Sequence, residues 1–226
     1  MFIMDMCTGK FKQLRIRAYL KTGVISDQYL PLDGVLYYHL VREKMGAEII
    51  TKSRESNIRQ GQNITLPIKK SGPKNEFWFY ACSFAQFPES VVEDSSFKVK
   101  SGDWLKHSQH FKANKKIDIQ RGKFKNAHIK LYYRHCEYID WYCVGAPEEL
   151  GKLLQFCTNI GKNSGDGWGE IAKWEIKEWP EDWSVRGMGN KLMRNVPLKQ
   201  DGRGIMYGMR PSYWNPRHIA VCKMPN

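Results

Sequence analysis

The sequence Asn159-Ile160-Gly161-Lys162-Asn163-Ser164-Gly165-Asp166-Gly167-Trp168-Gly169-Glu170-Ile171 organises the second half of the chain. Glycine accepts positive φ angles and lets another molecule approach the backbone closely. Successive amides in such a loop can bind phosphate oxygens, and Lys162 and Asn163 lie beside them. A flexible turn that leads into the last strand explains the same pattern, so both interpretations stay open.

Two familiar phosphate-binding motifs do not match this loop. No Lys-Ser or Lys-Thr pair follows the last glycine, so the loop is not a Walker motif. A helix is predicted before it, over residues 146–160, and a strand after it, over residues 171–178. This order is the reverse of the strand-to-helix order of a dinucleotide-binding fingerprint.

The composition indicates a polyanionic partner. The 226 residues carry a formal net charge of +13, and the pI is about 9.4. A folded chain this basic commonly binds nucleic acid or an anionic membrane. No run approaches the roughly 18 apolar residues of a membrane-spanning helix, so we expect no membrane partner.

The cysteines predict neither a metal site nor a cofactor. All six are widely scattered, with no C-x-x-C pair and no zinc-finger spacing: Cys7, Cys82, Cys136, Cys143, Cys157 and Cys222. We expect free thiols in a reducing cytoplasm. Residues 1–12 are too short and too mixed in character for a signal peptide, which favours a cytoplasmic protein.

The first half of the chain predicts a strand, a helix and a second strand. Residues 13–20 alternate apolar with basic or aromatic side chains, which is typical of a sheet with one covered and one open face. Arg15 and Arg17 on the open face could bind RNA or be merely solvated. A helix is predicted over Leu32–Met45, and an aromatic-rich strand over residues 76–87.

The most basic stretch runs from Phe97 to Lys130. Basic residues with aromatics between them are typical of nucleic-acid binding, and a solvated arm is the alternative. The residues expected to contact RNA here are Lys106, His107, Lys112, Lys115, Lys116, Arg121, Lys123 and Lys125.

The remaining segments complete the predicted order. Residues 129–144 predict one long strand or a hairpin. The tail from Trp179 is basic and has no clear period before Ile219. It could contact RNA, contact another subunit or pack against the chain itself. Its candidate RNA contacts are Arg186, Arg194, Arg210 and Arg217.

This order predicts an α+β fold, a ferredoxin-like (βαββαβ, RRM-like) domain with a basic thumb-like insertion and an irregular C-terminal extension. The domain would comprise residues 1–96 and 128–226, and the insertion residues 97–127. The helices would cover one sheet face and leave the other free.

A Gly-rich loop between the second helix and the last strand of such a domain resembles the RAMP superfamily of CRISPR-associated proteins. The loop from Gly161 to Gly169 matches the family's G-x-x-x-G-x-G-x-G style of motif. Two further segments resemble the type IV member: Pro31-Leu32-Asp33-Gly34-Val35-Leu36 and Arg210-Pro211-Ser212-Tyr213-Trp214-Asn215-Pro216-Arg217-His218. Asp166 departs from the pattern, because an anion would repel phosphate unless it turns away or accepts from a base amine.

The resemblance implies a prokaryotic Cas-five-like subunit that caps one end of the effector complex. Such a subunit holds the 5′ handle of the guide RNA and packs against the backbone subunit, with the large subunit as a further partner. It could also touch target DNA near the protospacer-adjacent motif. RNA contacts are then expected at Gly161, Lys162, Asn163, Gly165, Gly167, Trp168 and Gly169, together with the basic residues named above.

Two other functions fit the same sequence. A metal-independent endoribonuclease of the same superfamily would use the RNA's own 2′-OH and a histidine base; His39, His107 and His110 are the candidates. A general RNA- or DNA-binding protein outside CRISPR would show no preference for a repeat handle. The leading hypothesis is the non-catalytic RNA-binding subunit.

Overall fold

The fold is mixed α/β and consists mainly of strands. The computed structural model describes residues 10–45, 64–72, 77–100, 120, 125–198 and 203–225. Within these ranges it contains two α-helices. The elements in chain order are β1 (Lys12–Leu20), α1 (Leu32–Met45), β2 (Lys70–Ser71), β3 (Phe79–Tyr80), β4 (Val92–Lys100), β5 (Ala127–His135), β6 (Tyr138–Gly145), α2 (Pro147–Gln155), β7 (Ile171–Glu178), β8 (Val196–Pro197), β9 (Ile205–Gly208) and β10 (Ile219–Lys223).

The central sheet has three antiparallel strands in the order β6-β1-β7. In β1 the side chains alternate as predicted: Leu14, Ile16 and Ala18 are buried, whereas Arg15 and Arg17 are half-buried. The buried face packs against the apolar sides of α1 and α2 in one continuous core. The alternation of β1 therefore decides which sheet face the two helices cover.

Helix α1 has the predicted bounds, but α2 is shorter than predicted. Pro147 occupies the first turn of α2, as the sequence indicated, and the helix ends at Gln155. Beyond it, Asn159 pairs with Glu170, and the amide of Ile160 donates to Gly169 O at 2.9 Å. The chain before the Gly-rich loop is therefore extended, because it bonds to the chain after the loop.

The predicted strand over residues 76–87 is regular only at Phe79–Tyr80. Two residues beyond it pair with β6 through isolated bridges, Cys82 with Cys143 and Gln86 with Asp140, whereas Phe84 pairs with Pro31. The segment divides its hydrogen bonds among several neighbours, so no continuous ladder forms. Three strands of the predicted βαββαβ unit are regular, and the complete ferredoxin-like arrangement remains a prediction.

Strands β4 and β5 form a two-stranded ribbon with a continuous register from Val92↔His135 to Lys100↔Ala127. Residues 129–144 were predicted to form one long strand or a hairpin, and they form neither. They form parts of two strands in different sheets, divided at Cys136 and Glu137. Residues 101–119 and 121–124, most of the predicted basic insertion, lie outside the described residues.

The tail forms a second small sheet in the order β8-β10-β9. Arg194, which lies just before β8, has no exposed surface. The prediction that Arg194 contacts RNA is therefore wrong. The Arg194 guanidinium donates to Tyr80 O, to Cys82 O at 3.2 Å and to Met209 O at 2.7 Å. A buried cation needs such acceptors to offset its desolvation, which gives Arg194 a structural role.

Replacing Arg194 should destabilise the fold strongly. Arg194→Met would remove the donors for three buried carbonyls and leave Asp33, 3.9 Å from the guanidinium, without its counter-charge. We expect a loss of about 3–5 kcal/mol in unfolding free energy, measured by urea denaturation. The exposed Arg217→Met is the matched control and should change stability by at most about 0.5 kcal/mol; equal effects of the two would contradict the structural role.

Candidate functional site

The Gly-rich loop is closed at its base by backbone hydrogen bonds to the segment after β1. The amide of Gly169 donates to Gly23 O at 2.8 Å, and that of Lys162 donates to Ile25 O at 2.6 Å. The loop is therefore held by the protein at both ends, while its tip projects.

The glycines of the loop divide into two groups. Gly161 and Gly169 have positive φ angles of 79° and 65°, and a Cβ at either would collide with a backbone carbonyl, of Ile25 and Ile160 respectively. These two glycines are required by the fold. Gly165 and Gly167 at the tip have no other part of the described chain within 4 Å of a Cβ position. The tip is therefore accessible to another molecule.

The amides at the loop tip are partly free. Those of Asp166 and Gly167 donate within the loop, to Asn163 O at 2.9 Å and Ser164 O at 3.1 Å. Among the described residues, none accepts a hydrogen bond from the amides of Ser164 or Gly165. These two N–H groups are donors that the loop tip can offer to a ligand.

Two side chains of the loop contact the β4–β5 ribbon. Asp166 forms an ion pair with Lys98 of β4, so the anion that the sequence placed among the glycines is neutralised. The Trp168 ring packs on Tyr133 of β5, with centroids 4.6 Å apart. Trp168 was predicted to contact RNA, and the structure places it against the protein and half-buried.

A cleft of about 660 Å³ lies between the loop and α1. One wall comprises Tyr38, His39 and Arg42 of α1, and the opposite wall is the chain from Thr158 to Gly165. Ser26 also lines the cleft, together with Tyr207 and Tyr213 of the tail.

His39 joins the two walls of the cleft. Its Nε2 lies 3.1 Å from Asn159 O, and because a carbonyl only accepts, Nε2 carries the proton. Burial lowers the pKa of His39, against the raising effect of this hydrogen bond. The imidazole is therefore neutral near neutral pH and positions the loop relative to α1.

The predicted basic sheet face is engaged in ion pairs. Arg17 forms a bidentate pair with Asp140, both contacts 2.7 Å, and its guanidinium lies 3.6 Å from the Tyr138 ring centroid. Arg15 pairs with Glu175 at 2.7 Å. Carboxylates on the neighbouring strands thus offset the charges of Arg15 and Arg17, which were predicted to contact RNA.

The other predicted site residues are spread over the molecule. Lys162 lines the cleft and pairs with Asp27 at 2.5 Å. Arg210 is buried and donates to Trp78 O at 2.9 Å, so its part in RNA binding is not supported. Exposed positions are occupied by Gly161, Asn163, Lys125, Arg186 and Arg217. Outside the described residues lie Lys106, His107, Lys112, Lys115, Lys116, Arg121 and Lys123.

Sequence reasoning missed most residues of the cleft, among them Ser26, Tyr38 and Arg42. Tyr38 and Arg42 are spaced i, i+4, which places them on one side of a helix, and this signal could have identified them as a pair. Nothing in the sequence indicated that Ser26 would lie opposite them.

Neither a metal site nor a membrane span is found in the part of the chain that the structure describes. No group of three or more His, Cys, Asp or Glu side chains there could hold a metal ion. No described helix has the length and apolar character needed to cross a bilayer.

Comparison with known proteins identifies one family. A family model described as CRISPR type IV associated protein Csf3 matches residues 12–225. No curated protein matches the chain.

Two solved structures are similar to parts of the chain. One is the cryo-EM structure of the Type III-B Cmr-beta bound to cognate target RNA, with 12% identity, a TM-score of 0.36 and coverage of 75% of this chain and 61% of that chain. The other is the crystal structure of the Csm3–Csm4 subcomplex in the type III-A CRISPR-Cas interference complex, with 13% identity, a TM-score of 0.35 and coverage of 87% and 82%. The chain therefore spans less than two thirds of the matched chain in the first of these structures.

The histidine that joins the cleft walls should make stability depend on pH. Because the pKa of His39 is lowered in the folded state, the unfolded state binds the proton first, and stability falls as pH drops below about 6.5. His39→Gln keeps a donor for Asn159 O but does not titrate. We expect the melting temperature of the native protein to fall more between about pH 7 and about pH 5 than that of the variant.

Equal falls in the melting temperatures of the native protein and the His39→Gln variant would contradict this role of His39. The pKa of His218 is also lowered by burial, but His218 is present in both proteins and its contribution cancels in the comparison.

Proposed function

The chain belongs to the CRISPR type IV associated Csf3 family, and from this premise we propose that it is a non-catalytic RNA-binding subunit of a type IV CRISPR ribonucleoprotein. It caps the complex by holding the 5′ handle of the guide RNA. The family match over residues 12–225 is the observation that carries the proposal. The resemblance of the chain to the type IV family is confirmed by the same match.

The charge and the loop support an RNA ligand. A net charge of +13 favours a polyanion, and phosphate contacts supply most of the affinity of such proteins. The open tip at Gly165 and Gly167, with the free amides of Ser164 and Gly165, offers donors for phosphate oxygens. Unpaired handle bases would be read at neighbouring aromatic and polar groups.

Exposed apolar residues of the tail support a protein neighbour. Ile205 and Met206 of β9 are 61% and 63% exposed, and Trp214 is 42% exposed. Exposed large apolar side chains of this kind are candidates for a protein contact. We assign these residues to a contact with the backbone or large subunit. The proposed function also includes a contact of the subunit with target DNA near the protospacer-adjacent motif.

Guide-RNA cleavage is the second candidate function, because a histidine lies in the cleft. In His39, however, the Nε2 proton is already donated to Asn159 O. This bond suits a residue that holds the loop in place better than a general base. The other two candidate histidines, His107 and His110, lie outside the described residues.

The proposed contact between the loop tip and RNA can be tested by placing a side chain at Gly165. Gly165 has no positive φ angle and open space around it, so Gly165→Val should leave the fold intact. We expect this variant to bind repeat-derived handle RNA at least about tenfold more weakly, about 1.4 kcal/mol, in gel-shift assays with EDTA. Gly151→Ala, where the new Cβ makes only an ordinary contact with Ile176, is the control and should bind normally.

The same gels separate the alternatives. Unchanged affinity of Gly165→Val would reduce the loop to a turn, and equal binding of handle and scrambled RNA at matched salt would favour a general nucleic-acid-binding protein. One discrete cut that a His39→Gln substitution abolishes would show the endoribonuclease instead.

A further inference from the structure

The cleft between α1 and the Gly-rich loop has the properties of a binding site for one small planar group. Its volume, about 660 Å³, falls within the roughly 300–1,000 Å³ typical of small-ligand sites. It opens beside the loop tip, where Gly165 lines both the cleft and the accessible surface. A chain that crosses the tip could therefore place one residue in the cleft.

Tyr38 provides a stacking surface in the cleft. Its side chain is 43% exposed although it lies next to the buried His39. The two rings meet edge to face, with centroids 5.2 Å apart and planes at 89°, so the imidazole braces Tyr38 in one orientation. Tyrosine rings of this kind stack on nucleobases irrespective of sequence.

Ser26 adds an unsatisfied polar group to the same cleft. Its Oγ is buried and makes no hydrogen bond with the described residues, and Ser26 lines the cleft. A buried hydroxyl without a partner costs free energy. The donor and acceptor groups on the edge of a nucleobase would satisfy it.

The charges at the cleft favour a phosphate on the ligand. Arg42 lies one helical turn beyond Tyr38, is exposed, and forms no ion pair with any residue of the described ranges. Lys162 on the opposite wall is paired with Asp27. Among the described residues that line the cleft, Arg42 is thus the one Lys or Arg side chain without an ion pair, and Ser164 and Gly165, with their free amides, line the same cleft.

We propose that this cleft binds one unpaired nucleotide of the guide RNA, with its base turned out of the strand and stacked on Tyr38, its edge bonded to Ser26 and its phosphate bound by Arg42. The proposal rests on the proposed function and names the part of the RNA that the site takes. A free nucleoside monophosphate has the same chemistry and is the alternative source of the ligand.

The test combines single abasic substitutions in the handle RNA with variants of the cleft. For the native protein, an abasic site at one position should weaken binding about tenfold or more, whereas abasic sites at its neighbours should have small effects. Tyr38→Ala should bind intact RNA about as weakly as the native protein binds that abasic RNA, and should lose sensitivity to the abasic site. Tyr38→Phe should retain the sensitivity, because it keeps the ring.

Phe11→Ala is the matched control, because Phe11 has the same 43% exposure and lies outside the cleft. It should keep both the affinity and the abasic sensitivity. Thermal unfolding of each variant checks that it is folded, and Arg42→Gln supplies a second variant that keeps the ring and weakens binding through the phosphate alone.

Three results would overturn the inference. If handle RNA binds no better than scrambled RNA, the proposed function fails as well. If handle RNA binds specifically but no abasic position is coupled to Tyr38, only the nucleotide site fails. If adenosine, guanosine, cytidine or uridine monophosphate binds with a dependence on Tyr38 while the RNA shows no coupling, the cleft takes a free nucleotide.

Discussion

The buried guanidinium of Arg194 links the parts of this structure that are far apart in sequence. It bonds to carbonyls of Tyr80 and Cys82 beside the central sheet and of Met209 in the tail, and lies 3.9 Å from Asp33 at the start of α1. Burial raises the pKa of Asp33, and the positive charge of Arg194 opposes that shift. The cleft depends on this contact, because the tail that Arg194 anchors supplies Tyr207 and Tyr213.

In addition to the loop, two segments carried the family resemblance, and these two segments meet at Asp33. Tyr213 donates to Asp33 Oδ1 at 2.6 Å, and a Cβ at Gly34 would lie 3.3 Å from the Tyr213 ring. Residues 31–36 and 210–218 are therefore two sides of one packed contact. This contact attaches the tail to α1, beside the loop and cleft for which we propose an RNA ligand.

Local patterns predicted the elements that position the site, and long-range contacts decided the rest. The alternation of β1 and the helix signals around Leu32–Met45 lie within single segments, so both elements could be predicted. The burial of Arg194 could not, because three of its acceptor residues, Tyr80, Cys82 and Met209, lie more than ten residues away in sequence and its neighbours in the tail are also basic. The cleft could not be predicted for the same reason, since Ser26, Tyr38 and Tyr207 meet only after folding.

The open loop tip is the proposed contact for the guide RNA of one ribonucleoprotein. The most direct measurement is to co-express the chain with the neighbouring genes of its operon, purify the complex through this chain and sequence the RNA bound to it. A uniform population of spacer-containing RNAs that share one 5′ end is the predicted result. Heterogeneous cellular RNA, or no RNA, would contradict the account.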